Sequence, residues 1–360
     1  MDAPVIVGDA ERRMAERGGV RDLPVAFSGD AREYFGIWIV NILLSIVTIG
    51  VWSAWAKVRT KRYFYGNTSI DGHAFEYHAT GLQIFKGRAV AFVCFVALAL
   101  ASHFMPLLYL ALWGILILAS PLIINRSLRF NARVTSWRNV RFDFRGSYWR
   151  ALVVFVLMPI ASVLTLGLLM PVSSRLRSRY VTNRHSYGGV PFETNPRLSP
   201  LYRALGASAL FGAALLPTLY APLVISGETL RAHFDDGSDY PFSLIIAFYA
   251  LLAVITVILL FYRARVQNET IGRMRLAEHG FRCDLSGMRY AWIVVSGLIA
   301  TILTVGLLRP WAHVRQWRYV SSEIGVLAVG DLDGFVAGRV EAGSSFATEF
   351  GEMEGFDVGF

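Results

Sequence analysis

Chemistry in a chain like this would be carried by histidines, cysteines and paired acids, and here they are scattered. His73, Glu76 and His78 fall close enough together to hold a metal, but the same spacing reads first as polar residues on an exposed hairpin. His103, His185, His233, His279 and His313 stand apart. Cys94 lies in an apolar stretch and Cys283 in an arginine-rich one, which gives neither a disulfide framework nor a metal spacing. No His-Glu-x-x-His, Gly-x-Ser-x-Gly or glycine-rich phosphate loop occurs. The expectation is a non-catalytic protein with no catalytic residue, no metal and no cofactor.

What recurs instead is a pattern that would position residues. Thr48-x-Gly50 is followed by Arg62-Tyr63, Thr165-x-Gly167 by Arg179-Tyr180, and Thr304-x-Gly306 by Arg318-Tyr319. Each tyrosine stands at the same distance from its threonine. Phe27 and Gly29 match Phe144 and Gly146 in register, and Gly72, Phe75 and Glu76 match Gly189, Phe192 and Glu193. A spacing repeated three times is an architectural signal. Thr48, Gly50, Thr165, Gly167, Thr304 and Gly306 are the candidate repeat core, where glycine permits a break or close packing. Arg62, Tyr63, Arg179, Tyr180, Arg318 and Tyr319 are the candidate interfacial anchors, with cations on headgroups and tyrosines at headgroup depth.

These units are hydrophobic. Only 17% of residues are charged, 54% are hydrophobic, and mean hydropathy is +0.46. Apolar segments fall near 36–56, 89–105, 107–124, 151–172, 205–225, 243–262 and 290–308, with Met105-Pro106 as a natural turn. A membrane span needs about 20 apolar residues. The reading is an all-α polytopic membrane protein with three internal repeats (27–80, 142–197 and 281–325) and two helical hairpins (89–124 and 205–262). Residues 1–26 read as a disordered cytosolic lead without a signal-peptide core, and 331–360 as an acidic flexible tail.

Positive charge marks the cytoplasmic side. The stretches 57–88, 126–150, 175–203 and 263–289 are all cationic, whereas the tip at 102–106 has no charge and 226–242 is acidic. The two hairpins therefore point outward and the N-terminus is cytoplasmic. The repeat segments are cationic at both ends, so each either spans against the rule or dips in and returns. In the second case threonine satisfies the freed backbone groups. The arginines of 126–150, interleaved with Trp137, Phe142 and Phe144, suit interfacial helices on anionic lipid.

After the first two repeat segments come aromatic, β-branched runs broken at Asp71-Gly72 and Gly188-Gly189. These read as short cytoplasmic β-hairpins. Phe27-x-Gly29, Thr48-Ile49-Gly50, Trp55-Ala56, Tyr63-Phe64-Tyr65, Asp71-Gly72-His73-x-Phe75-Glu76-Tyr77 and Gly306-Leu307-Leu308-Arg309-Pro310-Trp311-Ala312 resemble the YjgN-like family over roughly 27–330. That resemblance implies a multipass bacterial inner-membrane protein and supplies no activity. The second copy departs from the pattern, with Val172 in place of the tryptophan.

The function expected is a scaffold or envelope-homeostasis role with contacts to anionic phospholipid headgroups, and with protein partners at the cytoplasmic hairpins or tails. Nucleic acid is not expected, because binding it would explain the basic pI of 9.7 but not the apolar segments. The alternative is a transporter or channel for a neutral or amphipathic solute or lipid, lined by Asn41, Ser45, Ser162 and Thr301. Such residues more often hold helices together.

Overall fold

The computed structural model describes residues 19–214 and 240–339. Ten strands alternate with helices along the chain. They are β1 (Val20–Phe27), β2 (Thr68–Ile70), β3 (His73–Tyr77), β4 (Thr135–Trp137), β5 (Val140–Phe144), β6 (His185–Tyr187), β7 (Val190–Glu193), β8 (Arg275–Leu276), β9 (His279–Cys283) and β10 (Ile324–Val329). The helices are α1 (Ala31–Val47), α2 (Ser53–Gly66), α3 (Gly81–Phe104), α4 (Pro106–Arg133), α5 (Tyr148–Leu164), α6 (Met170–Thr182), α7 (198–214), α8 (Tyr240–Ile271), α9 (Gly287–Leu303), α10 (Arg309–Ser322) and α11 (332–339).

The strands close into one antiparallel barrel in sequence order, with β1 between β2 and β10. This corrects the expectation of an all-α membrane protein carrying separate β-hairpins. An isolated hairpin of three-residue strands leaves both edges unpaired, and closure removes every edge. Val20↔Val329 through Pro24↔Gly325 seals one side of β1, and Val25↔Ile70 through Phe27↔Thr68 the other. The lead assigned to 1–26 is thus ordered strand from Val20. The tail assigned to 331–360 begins with α11. The remainder of both assignments lies outside the described residues, as do residues 226–239 of the acidic loop.

Antiparallel order along the chain dictates the layout. Odd strands run one way and even strands the other, so both kinds of connection segregate by rim. The tight turns at Asp71-Gly72, Arg138-Asn139, Gly188-Gly189 and Ala277-Glu278 lie at one rim. The helical connections α1–α2, α3–α4, α5–α6, α7–α8 and α9–α10 all leave from the opposite one. Asp71, Gly72, Arg138, Asn139, Gly188 and Gly189 all have positive φ, the backbone that two-residue hairpin turns need.

Inside the barrel the side chains alternate with period two. Leu23, Ile70, Phe75, Trp137, Phe142, Tyr187, Phe192, Leu276, Phe281 and Ala328 face one another, one from each strand. Leu332 and Val336 of α11 pack into the same core from the turn rim. Arg138 Nη1 meets Asp333 Oδ1 at 2.6 Å there.

Among the described residues, three helices are long and apolar enough to cross a membrane: Gly81–Phe104, Pro106–Arg133 and Phe248–Ile271. That corrects the seven segments read from hydropathy. The segments at 36–56, 151–172 and 290–308 are each broken at Thr-x-Gly, and 205–225 is described only in part. The arginines of 126–150 do not share one helix. Arg126, Arg129 and Arg133 end α4, Arg138 and Arg141 lie on the β4–β5 hairpin, and Arg150 lies in α5. Arg129 donates to Phe144 O at 3.1 Å and Arg133 pairs with Asp143 at 3.0 Å.

Candidate functional site

The three Thr-x-Gly segments form tips between α1 and α2, α5 and α6, and α9 and α10, built with the same bonds. Gly50 N donates to Ser45 O, Gly167 N to Ser162 O and Gly306 N to Thr301 O, each at 2.7 Å. Ile49 N, Leu166 N and Val305 N donate to carbonyls three residues back, at 3.0–3.1 Å. This is a Schellman helix ending. The threonine then joins the two helices. Thr48 Oγ1 donates to Leu44 O at 2.7 Å and accepts from Trp52 N at 2.9 Å. Thr165 and Thr304 do the same toward Ala161 O and Leu169 N, and toward Ala300 O and Leu308 N. Backbone groups freed by the break are thereby paired without water, as an apolar surrounding demands.

The middle residue of each tip was passed over in the sequence, and it is the unusual one. Ile49, Leu166 and Val305 have φ of 49°, 50° and 50°, and they are 94%, 96% and 94% exposed. A left-handed position at a helix end normally takes glycine, and a β-branched residue there is an outlier. Each tip therefore holds a bulky apolar side chain outward in a strained backbone. Val47, Leu164 and Leu303 extend the apolar surface at 78–79% exposure.

Lys57, Arg175 and Arg309 are the first cations after the three tips. Cations this near a tip oppose placing it deep in hydrocarbon. Farther along, Arg62, Arg179 and Arg318 are exposed. Arg62 also donates to Tyr77 O and Ala79 O at 3.2 and 3.1 Å, and Arg318 to Gly29 O at 2.9 Å.

The tyrosines beside them are buried in the protein. Tyr63, Tyr180 and Tyr319 are each 6% exposed. Their hydroxyls bond backbone at the residue preceding α1, α5 and α9. Tyr63 donates to Asp30 O at 2.7 Å, Tyr180 to Ser147 O at 3.1 Å, and Tyr319 accepts from Ser286 N at 2.9 Å. They clamp the second helix of each pair to the start of the first. Burial pushes the Tyr63 phenol up to about 12, so it stays a neutral donor at physiological pH.

His73 and His78 do not converge. His73 Nδ1 lies 2.8 Å from Asp71 O, while His78 Nε2 lies 2.7 Å from Ser136 Oγ and 3.4 Å from Glu76. Among the described residues no group of three metal-binding side chains forms.

The sequence reading also missed the barrel lumen. A cavity of about 350 Å³ lies within it, lined by Trp137, Phe142, Tyr187, Phe192, His279 and Phe281 among others. The available signal was the alternation of aromatics on both sides of Arg138-Asn139.

A family described as bacterial protein of unknown function (DUF898) matches residues 22–353. The chain belongs to that family. The match runs from β1 past α11, so it takes in the whole barrel. A relative from Salmonella typhimurium named inner membrane protein YjgN is 26% identical over 86% of this chain and 89% of its own length. Proteins of the same name from Escherichia coli O157:H7 and Escherichia coli K12 are 33% and 32% identical, over 42% of this chain and 38% of theirs. No solved structure matches.

Proposed function

We propose that this member of the family is a non-catalytic inner-membrane protein whose barrel stands on the cytoplasmic face. Helix pairs α3–α4 and α7–α8 cross the bilayer and return. The three Thr-x-Gly hairpins, pseudo-equivalent copies of one unit, enter only the near leaflet. The observation that carries this is the common rim, since a pair that starts and ends on one barrel rim must come back to the side it left. The exposed Ile49, Leu166 and Val305 then meet acyl chains, and the cations just past each tip meet phosphate. Positive charge at both flanks of the repeats ceases to be a conflict. The names of the relatives agree with the location.

Such a protein would organise anionic lipid and protein partners at the membrane surface, with Arg62, Arg179 and Arg318 available to phosphate. A transporter built from the repeats has less support. All three units leave the barrel in one direction, whereas alternating access is commonly built from inverted copies.

Single cysteines in a background lacking Cys94 and Cys283 test the arrangement with an impermeant maleimide. Cysteines at Gly72, Gly189 and Glu278 should label only after the cells are opened, and one at Met105 should label in intact cells. Cysteine at Leu166 should stay unlabelled from either side until detergent is added. Labelling of Leu166→Cys in intact cells would mean that the repeat segment spans, and the reading would fall.

A further inference from the structure

We propose that the barrel lumen is a binding site for a fatty acid, which enters from the helix rim with its carboxyl group leading toward His279. This goes beyond the membrane arrangement; the entry route rests on that arrangement, the lumen site itself does not.

Four observations meet here. The lumen is walled by large side chains, yet about 350 Å³ stays open, within the usual range of small-molecule sites. Eight-stranded barrels already hold small ligands, and ten strands enclose more. The wall is aromatic and aliphatic, with Trp137, Phe142, Phe192 and Phe281 around it. Water holds poorly in such a space because it needs two to four polar partners.

The third observation is His279. It lines the cavity and is 1% exposed. Its Nδ1 accepts from Val329 N at 3.2 Å, which leaves the proton on Nε2. That N–H has no hydrogen-bond partner among the described residues. Buried donors are rarely left unmatched. Burial holds the imidazole below its ordinary pKa, and therefore neutral. A neutral N–H deep in an apolar chamber asks for one acceptor attached to an apolar body.

The fourth is the closure. Leu332 and Phe335 of α11 floor the chamber at the turn rim, and Phe335 stands edge-on to His279 with ring centroids 4.9 Å apart. Thr182, at the end of α6, and Met274, in the link from α8 to β8, line it at the opposite rim, from which the apolar helices rise. A molecule drawn from a membrane meets that end first. Nε2 is covered in this state, with the Phe335 ring against the imidazole. A shift of that ring lets the carbonyl oxygen of a neutral carboxyl group meet Nε2, the ionised form being too costly to bury on one hydrogen bond. The chain fills the aromatic wall behind it. No bond is made or broken.

The test is photocrosslinking on the full chain in native membranes, using palmitic acid that carries a mid-chain diazirine. Adducts should map to peptides spanning β4–β5, β6–β7 and β9, and excess dodecanoic acid should displace them. Adducts on α3 and α4 report exposure to bilayer and should not be displaced. His279→Phe keeps the edge-on ring contact with Phe335 and should cut the barrel adducts about tenfold, the worth of one buried hydrogen bond. If that variant does not fold, Thr182→Trp narrows the entrance without touching His279 and should cut them as well. Adducts confined to the apolar helices would overturn the proposal. So would barrel adducts unchanged in the folded variants.

Discussion

Ser286 N donates to the hydroxyl of Tyr319 at 2.9 Å across 33 residues of chain, fastening the end of α10 to the start of α9. The same separation joins Tyr63 to Asp30 and Tyr180 to Ser147. Each tyrosine lies in a small core beneath its helix pair, with Ala264, Leu285 and Tyr290 around Tyr319 and with Phe144 and Ala151 around Tyr180. These clamps are placed to fix the direction in which each tip leaves the barrel.

Removing one hydroxyl should therefore be felt. Tyr319→Phe keeps the ring and leaves the Ser286 N–H unpaired beside a buried core, which costs about 1–3 kcal/mol. Arg179→Lys, at the exposed equivalent arginine of the second unit, should stay within about 0.5 kcal/mol. The denaturation midpoint in mild detergent reads both. Equal losses would mean that the clamp contributes nothing particular.

The tips make a second prediction, in two opposite directions. Gly167 sits at φ +89° with open space where a Cβ would go, so backbone strain alone opposes a side chain. Gly167→Leu should destabilise by about 1–2 kcal/mol, more than Arg179→Lys. Leu166→Gly should do the reverse. It relieves the left-handed leucine, offset in part by a freer unfolded chain, for a net gain of up to about 1 kcal/mol in detergent. A lower midpoint for Leu166→Gly would remove strain as the reason to see function in that side chain.

Much of this was legible beforehand. The spacing from Thr48 to Tyr63 was visible because it repeats, and Asp71-Gly72 announced its turn by residue type. Met105-Pro106 marked the break between α3 and α4. The barrel was not legible, and the reason is physical. Strands such as Arg275–Leu276 and Thr135–Trp137 are too short to show a period. Their partners lie far away in sequence, as with Phe192 opposite Leu276. Ala277 adopts φ 52° without being a turn-forming residue. Hydropathy misled in a different way. The segment at 290–308 has the length of a span, but the Schellman ending at Thr304-Val305-Gly306 turns it back. The bond of Tyr180 to Ser147 was not legible, because an aromatic next to an arginine suits an interface as well as a clamp and its partner lies 33 residues away.

Two histidines give the barrel a pH dependence. Burial lowers the pKa of both His279 and His185, with Glu278 and Asp143 opposing it only in part. Below about 6.5 the unfolded chain binds protons that the folded barrel refuses, so stability falls as pH drops through that value and is flat above it. Thermal unfolding in one detergent at pH 8, 7, 6 and 5 should show little change over the first step and a progressive loss over the last two. His279→Phe should flatten part of that loss. A melting temperature constant from 8 to 5 would show that neither imidazole stays neutral through burial.

The floor of the barrel supplies the last prediction. Arg138, on the β4–β5 turn, is held over the Trp137 ring at 5.6 Å and meets Asp333 of α11. Arg138 is largely covered and Asp333 largely open, so the pair acts as a latch on α11 more than as a source of global stability. Asp333→Arg places two cations together at the turn rim. Leu332 and Phe335 should then spend more time out of the lumen, and the amides of 332–339 should exchange hydrogen faster while those of β5 and β9 do not. Adding Arg138→Asp restores opposite charges in swapped positions but gives up the stacking on Trp137. The double variant should therefore recover protection in part, and an exchange rate no slower than that of Asp333→Arg alone would show that α11 is held by its apolar face only.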